Sequence, residues 1–304
     1  MKHASKIALF LVAIIWGTGF VASSLALETL TPNEILVIRF SLAFVVLLVM
    51  NGSRLKQIKK SDMLKGSLVG LFLYLGFYFQ TVGLQYTTPS KNAFLTAVNI
   101  VIVPFFALIV LREKLSYKSF VGAGVTLLGI GFISLESGFQ QMNRGDLLTL
   151  VCAFFFALQI FSTDVFAKEI KTWSLMLAQM GTASLLAWLS FFFSRDSFAL
   201  FGQVDFTVTS LYPVLYLGLI STLLAYFLQT WAQKKTTSTE TAVILSTEAF
   251  FGMLASVLIL NEQITSTLLI GALLIFAGII IVEVDFLEFK RVWRIMNEEK
   301  KSNH

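Results

Sequence analysis

The sequence predicts an all-α polytopic membrane protein: ten transmembrane helices arranged as two inverted five-helix repeats. Three observations carry this expectation. The composition is that of a lipid-immersed chain, ten apolar runs each approach the length that crosses a bilayer, and the second half resembles the first at a fixed offset.

Hydrophobic residues make up 56% of the 304-residue chain and charged residues 13%, against about 25% charged in soluble domains. The mean hydropathy is +0.80. Phe occurs 30 times and Pro four times. Cys152 is the one cysteine, which excludes an intramolecular disulfide. His3 and His304 lie at the chain ends and leave no material for a histidine metal or acid–base centre. The G-x-x-x-x-G-K-[ST], H-E-x-x-H and G-x-S-x-G patterns are absent. We therefore expect no enzyme, no nucleotide hydrolysis, no cofactor and no metal.

A hydrocarbon core about 30 Å thick needs roughly 20 apolar helical residues. Such runs fall at 7–27, 32–50, 66–85, 92–111, 117–135, 146–167, 173–193, 210–232, 240–260 and 266–284. The first is longer than a signal-peptide core, although Ser24-Leu25-Ala26 faintly resembles a cleavage site. The connections are short, and residues 194–209 form the bulkiest.

Lys and Arg in the short loops set orientation. With the N-terminus cytoplasmic, nineteen fall inside and three outside, namely Lys91, Arg144 and Arg195; Arg39 alone lies within a span. Both termini are thus expected in the cytoplasm. The net charge of +5 is explained by this asymmetry without a nucleic-acid partner, and the tail Lys290–Lys301 is suited to anionic headgroups.

Sliding the second half over the first by 149 positions pairs Gln80 with Gln229, Thr81 with Thr230, Thr88 with Thr237, Glu113 with Glu262, Gly122 with Gly271 and Gly129 with Gly278. Five spans per copy is an odd number, so the second copy enters the membrane from the other side. The expected organisation is a first repeat at 1–140, an inverted second repeat at 141–287 and a basic cytoplasmic tail at 288–304. Inverted repeats of this kind mark secondary transporters, with the site near mid-membrane between the copies.

Four stretches resemble the EamA-type branch of the drug/metabolite transporter superfamily. They are Ile15-Trp16-Gly17, Ile38-Arg39-Phe40, Leu111-Arg112-Glu113-Lys114-Leu115 through Gly122 and Gly129, and Leu260-Asn261-Glu262-Gln263-Ile264 through Gly271 and Gly278. The last two resemble the Gly-Glu ending of each family repeat, with Arg112 and Asn261 where the pattern has glycine. The family's ninth helix often reads Leu-Glu-Pro, and this chain has Ser246-Thr247-Glu248-Ala249. The resemblance implies alternating-access transport of small metabolites, with export of amino acids or related compounds across the cytoplasmic membrane as the expected activity. Multidrug or organic-cation efflux is the alternative, and a non-transporting membrane sensor a third reading.

Depth selects the candidate site. Glu248 lies some nine residues into the ninth span, roughly 13 Å deep. A carboxyl group there costs at least about 2.5 kcal/mol if it faces lipid, so a cavity or a partner is expected. It is a candidate for holding substrate and for coupling transport to a proton. Its repeat mate is Asn99, which extends a stripe through Thr96 and Asn92 at helical spacing. Thr241 and Glu248 reproduce the ends of that stripe. Arg39, about 10–12 Å deep, suits a substrate carboxylate, or equally helix carbonyls or an internal acid. Trp16 and Tyr78 are candidate cavity walls, together with Tyr74 and Phe77, and Gln80 and Gln229 candidate gate or hinge residues. For each, helix packing is the competing role. Glu113 and Glu262, at helix ends, are expected to partner a neighbouring terminus or a lysine, and Asp164 to pair with Lys168. The expected partners are a small-molecule substrate, a coupling proton and membrane lipid.

The inverted reading predicts that cysteines introduced at 112–116 and at 261–265 react with an impermeant maleimide from opposite sides of the membrane. Labelling from the same side would refute it.

Overall fold

The computed structural model describes residues 2–112, 117–134, 144–194 and 208–283. Span 1 is Lys2–Ala26, span 2 Pro32–Asn51, span 3 Lys60–Leu84, span 5 Tyr117–Ser134, span 6 Arg144–Ala167, span 7 Thr172–Phe193 and span 10 Ser266–Glu283. Span 4 comprises two helices, Pro89–Thr96 and Asn99–Leu111, as does span 9, Ser238–Ser246 and Glu248–Leu260. Span 8 has three pieces: Val208–Leu215, a π-helical stretch Tyr216–Leu224, and Ala225–Ala232. Eight spans are long and apolar enough to cross a membrane. Spans 5 and 10 carry shorter apolar segments, Val121–Phe132 and Ser266–Gly278. Spans 1 and 3 begin earlier than the hydropathy suggested, because Lys and Ser residues extend their first turns beyond the apolar run.

Capping chemistry sets several starts. Thr31 and Glu34 form a capping box at span 2, with Pro32 in the first turn, where its missing N–H is harmless. Thr237 and Glu240 repeat the device at span 9, and Thr88 caps span 4 by accepting from the Lys91 N–H. Thr88 and Thr237 are the repeat-related pair seen in the sequence.

Two contacts show the inversion. Lys6 in the first turns of span 1 pairs with Glu240 at the start of span 9, at 3.4 Å. We call this end of the bundle the near face. At the far face, Glu262 just beyond span 9 accepts from the Ser90 hydroxyl at 2.8 Å, in the first turn of span 4, and from Ser256. Spans 4 and 9 are repeat mates, yet one starts where the other ends. Glu262 thus partners a helix terminus, as expected; Glu113 lies outside the described residues. Asp164 meets Lys168 at 2.8 Å.

The packing pairs follow a pseudo-two-fold axis. Span 3 lies on spans 6 and 7 as span 8 lies on spans 1 and 2; span 9 lies on span 1 as span 4 lies on span 6. Spans 2 and 7, 4 and 9, and 5 and 10 meet their own mates. Span 5 crosses span 10 through the repeated glycines. A methyl carbon on Gly129 would stand 2.7 Å from the Gly271 carbonyl oxygen, and one on Gly278 would stand 2.7 Å from the Gly122 carbonyl oxygen. Small residues permit this close approach where no hydrophobic force drives helices together.

The repeats also share their strained joints. Among the described residues, Arg112 (φ 57°) and Asn261 (φ 53°) are the two non-glycine residues with positive φ, each ending the second helix of its span. They occupy the positions where the family pattern has glycine, and left-handed backbone explains that preference. Asn tolerates this conformation, while for Arg it costs roughly 1–2 kcal/mol.

Two stability outcomes follow. Arg112→Gly, at an exposed side chain, should stabilise the detergent-solubilised protein by about 1 kcal/mol in thermal unfolding. Gly129→Leu should destabilise it by about 2 kcal/mol or more through overpacking. Equal melting temperatures for all three proteins would refute this account of the joints and of the crossing.

Candidate functional site

A cavity lies where the two repeats meet. Seven of the residues singled out by sequence line it: Trp16, Arg39, Phe77, Gln80, Thr96, Asn99 and Glu248. Gly19, Phe20, Ser23, Phe156, Gln159, Ile160, Ser221, Tyr226 and Leu245 join them. The cavity separates two apolar cores. One gathers residues from spans 1, 4, 5, 6, 8, 9 and 10, the other from spans 2, 3, 6, 7 and 8. Trp16 packs on both.

Glu248 opens the second helix of span 9 and is 4% exposed. Ten residues from the start of the span put it about 15 Å into the bundle. It stands at an interruption of the helix, which forms without the family's proline. The Ser246 and Thr247 hydroxyls each donate at 2.7 Å to the carbonyl three residues back, Val243 and Ile244. The turn tightens accordingly, with i→i−3 backbone bonds from Thr247 to Ile244 and from Phe250 to Thr247. Among the described residues no hydrogen bond or ion pair engages the Glu248 carboxylate.

Span 4 is interrupted at the matching place. Val98, Ile100 and Val101 bond three residues back, and Asn99 opens the second helix there. Its buried side-chain oxygen has no partner. The two repeat mates therefore stand at corresponding breaks, where the exposed N–H groups and dipole of a half-helix favour negative charge. Gly17 permits the approach of span 9: a methyl carbon there would stand 2.8 Å from the Gly252 nitrogen and 2.9 Å from the Glu248 carbonyl oxygen. This places Trp16 and Glu248 on one cavity.

Arg39 enters from span 2 and is 1% exposed. Its Nε donates to the Thr222 hydroxyl at 3.0 Å, and its guanidinium carbon lies 3.7 Å from the centroid of the Phe77 ring. One terminal nitrogen, Nη2, is buried without a partner. Among the described residues no acid holds it, and the side chain stays buried instead of extending outward. Thr222 and Ser221 lie on the π-helical stretch of span 8, which follows Pro213 and its missing N–H. The Ser221 carbonyl accepts from the Trp16 indole N–H at 2.9 Å. The equivalent span 3 is regular throughout, so the two copies differ here.

The remaining candidates divide. Gln80 donates to the Thr96 hydroxyl at 3.2 Å at the cavity edge. Gln229, fully buried, donates to the Gln159 side-chain oxygen at 3.3 Å and meets the cavity only through that residue. Tyr78 does not line the cavity: its ring packs on Tyr74 and Phe79 along span 3. Asn92 lies off the cavity too, donating to Thr149 at 2.9 Å. Tyr226 is the main cavity residue that sequence reasoning missed. It is 1% exposed, and its ring centroid lies 4.8 Å from that of Trp16. The offset of 149 makes it the mate of Phe77, so a mate search applied to the aromatic candidates would have found it.

Comparison with known proteins agrees with this architecture. The EamA-like transporter family matches the chain twice, over residues 4–135 and 143–284. An uncharacterized transporter of Archaeoglobus fulgidus is 32% identical over 285 residues, covering 92% of this chain and 86% of that protein. The uncharacterized transporter YoaV of Bacillus subtilis is 25% identical, covering 88% and 92%. A protein of known crystal structure, 16% identical, superposes with a TM-score of 0.67 over 96% of this chain and 99% of its own, a likeness of fold alone. With two copies of the family domain spanning nearly its whole length, the chain is a multi-pass membrane transporter that belongs to the EamA-like transporter family.

Proposed function

We propose that this transporter carries small zwitterionic metabolites, amino acids or close relatives, by alternating access. One observation supports the reading above others. A carboxylate without a partner and a guanidinium with a free N–H edge line the same buried cavity at the junction of the repeats. Uncompensated charges in a low-dielectric interior are costly, and a ligand offering an ammonium and a carboxylate would satisfy both. Asn99 adds an acceptor for the ammonium, and Trp16, Phe77 and Tyr226 supply apolar walls. Gln80 and Gln229, each holding a neutral polar contact beside the cavity, are suited to act as gates.

Similar halves of opposite hand give two access states of nearly equal energy. A gradient of substrate or protons must supply the direction, and Glu248 is the group placed to carry the proton. The excess of Lys and Arg in one set of loops supports cytoplasmic termini in the cell membrane, with export as the working direction. Organic-cation efflux is the second reading, favoured by the same carboxylate among aromatic rings. It gives Arg39 no ligand.

Proteoliposome flux separates these readings. Glu248→Gln should reduce amino-acid flux by an order of magnitude or more and remove its response to an imposed pH gradient. Arg39→Gln should abolish amino-acid flux, whereas a cation carrier would keep its cation flux in that variant. Unchanged rates and unchanged pH dependence in both variants would refute the assignment.

A further inference from the structure

A second cavity, a groove, opens on the near face away from the central one. It lies between the end of span 2, the start of span 7 and the second half of span 8. Its walls are apolar: Leu47, Met50, Trp173, Leu223, Leu224 and Phe227. Met50 is 71% exposed, with Leu224 and Phe227 at about 40%, so the groove is open to the acyl region of a surrounding bilayer. Its rim carries Arg54, Lys171 and Lys234. Three acids of this end are engaged elsewhere, Glu169 with Lys65, Asp164 with Lys168 and Glu240 with Lys6, and Asp62 accepts from Ser61 off the groove. Partial burial pushes the Lys234 ammonium below its ordinary pKa, the response of a cation held without a counter-charge.

We propose that this groove is a binding site for an anionic phospholipid, its phosphate held by Arg54, Lys171 and Lys234 and an acyl chain lying along Leu47, Leu223 and Phe227. Charge and polarity divide along the groove as they do along such a lipid. Three cations gather at one rim, and the apolar wall runs from it toward the membrane interior. Trp173 stands where an amphipathic ring favours headgroup level. A soluble anion would use the rim and leave the wall empty, and a zwitterionic lipid would fill the wall and leave excess positive charge at the rim. The site also adjoins the transport machinery. Leu223 and Leu224 end the π-helical stretch whose Ser221 and Thr222 serve the central cavity.

The test is thermal unfolding of the full chain in neutral detergent with phosphatidylglycerol, with phosphatidylcholine of the same acyl chains, or with inorganic phosphate. Phosphatidylglycerol should raise the melting temperature by about 5 °C, as a ligand of the folded state does, and the other two by less than a third as much. Arg54→Gln, Lys171→Gln and Lys234→Gln together should remove that gain while leaving the lipid-free melting temperature near that of the parent. Lys56→Gln, Lys59→Gln and Lys60→Gln, exposed on the same face but off the groove, should retain it. Leu223→Trp, filling the wall with the rim intact, should remove it as well. Equal stabilisation by phosphate or by phosphatidylcholine would overturn the proposal. So would a gain that survives the rim substitutions or is lost equally in the control.

Discussion

A bilayer interior supplies no hydrogen bonds, so every backbone amide and carbonyl within it needs a partner from the protein. That constraint dictates the helices, and it also dictates where they can fail. The interruptions in spans 4 and 9 fall in the interior, and in span 9 two hydroxyls take up the carbonyls of the disturbed turn. The π-helical stretch of span 8 likewise has a carbonyl met by the Trp16 indole. Irregular backbone is gathered around one cavity, the place where protein can satisfy it. Among the buried side chains that leave a polar atom unpaired, Arg39 and Asn99 line the central cavity together with the Glu248 carboxylate.

Much of this was legible in the sequence because it rests on chemistry that leaves a local mark. Lipid crossing shows in run length, and inversion in an odd span count and a shared offset. The close helix crossing shows in glycines at matching positions. Glu248 and Asn99 were found by depth and by being mates. What escaped was whatever depends on rotation about a helix axis. Tyr78 and Phe77 are neighbours on span 3, and the packing of that span on spans 6 and 7 decides which ring meets the cavity. Arg39 was readable as buried, but not as stacked on Phe77 with an edge left free, because its partners come from distant spans. The interruption in span 9 was obscured by the absence of proline; serine and threonine produce it by another route.

The two copies agree at their caps, glycines and left-handed joints, and they diverge at the cavity. Asn99 faces Glu248 across the axis, Phe77 faces Tyr226, and the π-helical stretch belongs to one copy only. Shared features hold the frame, while the differences supply charge and shape to the site. A perfectly symmetric cavity would present two carboxylates or none, and neither suits a ligand with unlike ends.

The glycine crossing of spans 5 and 10 carries a historical implication. Gly129 meets Gly271 and Gly278 meets Gly122 at the same separation, so the surface is its own complement. A half-length ancestor able to insert in both orientations would have formed this joint with a second copy of itself. Fusing two such genes would have preserved the joint while releasing each copy from the duty of being identical, and the unlike pair at positions 99 and 248 is what that freedom permits.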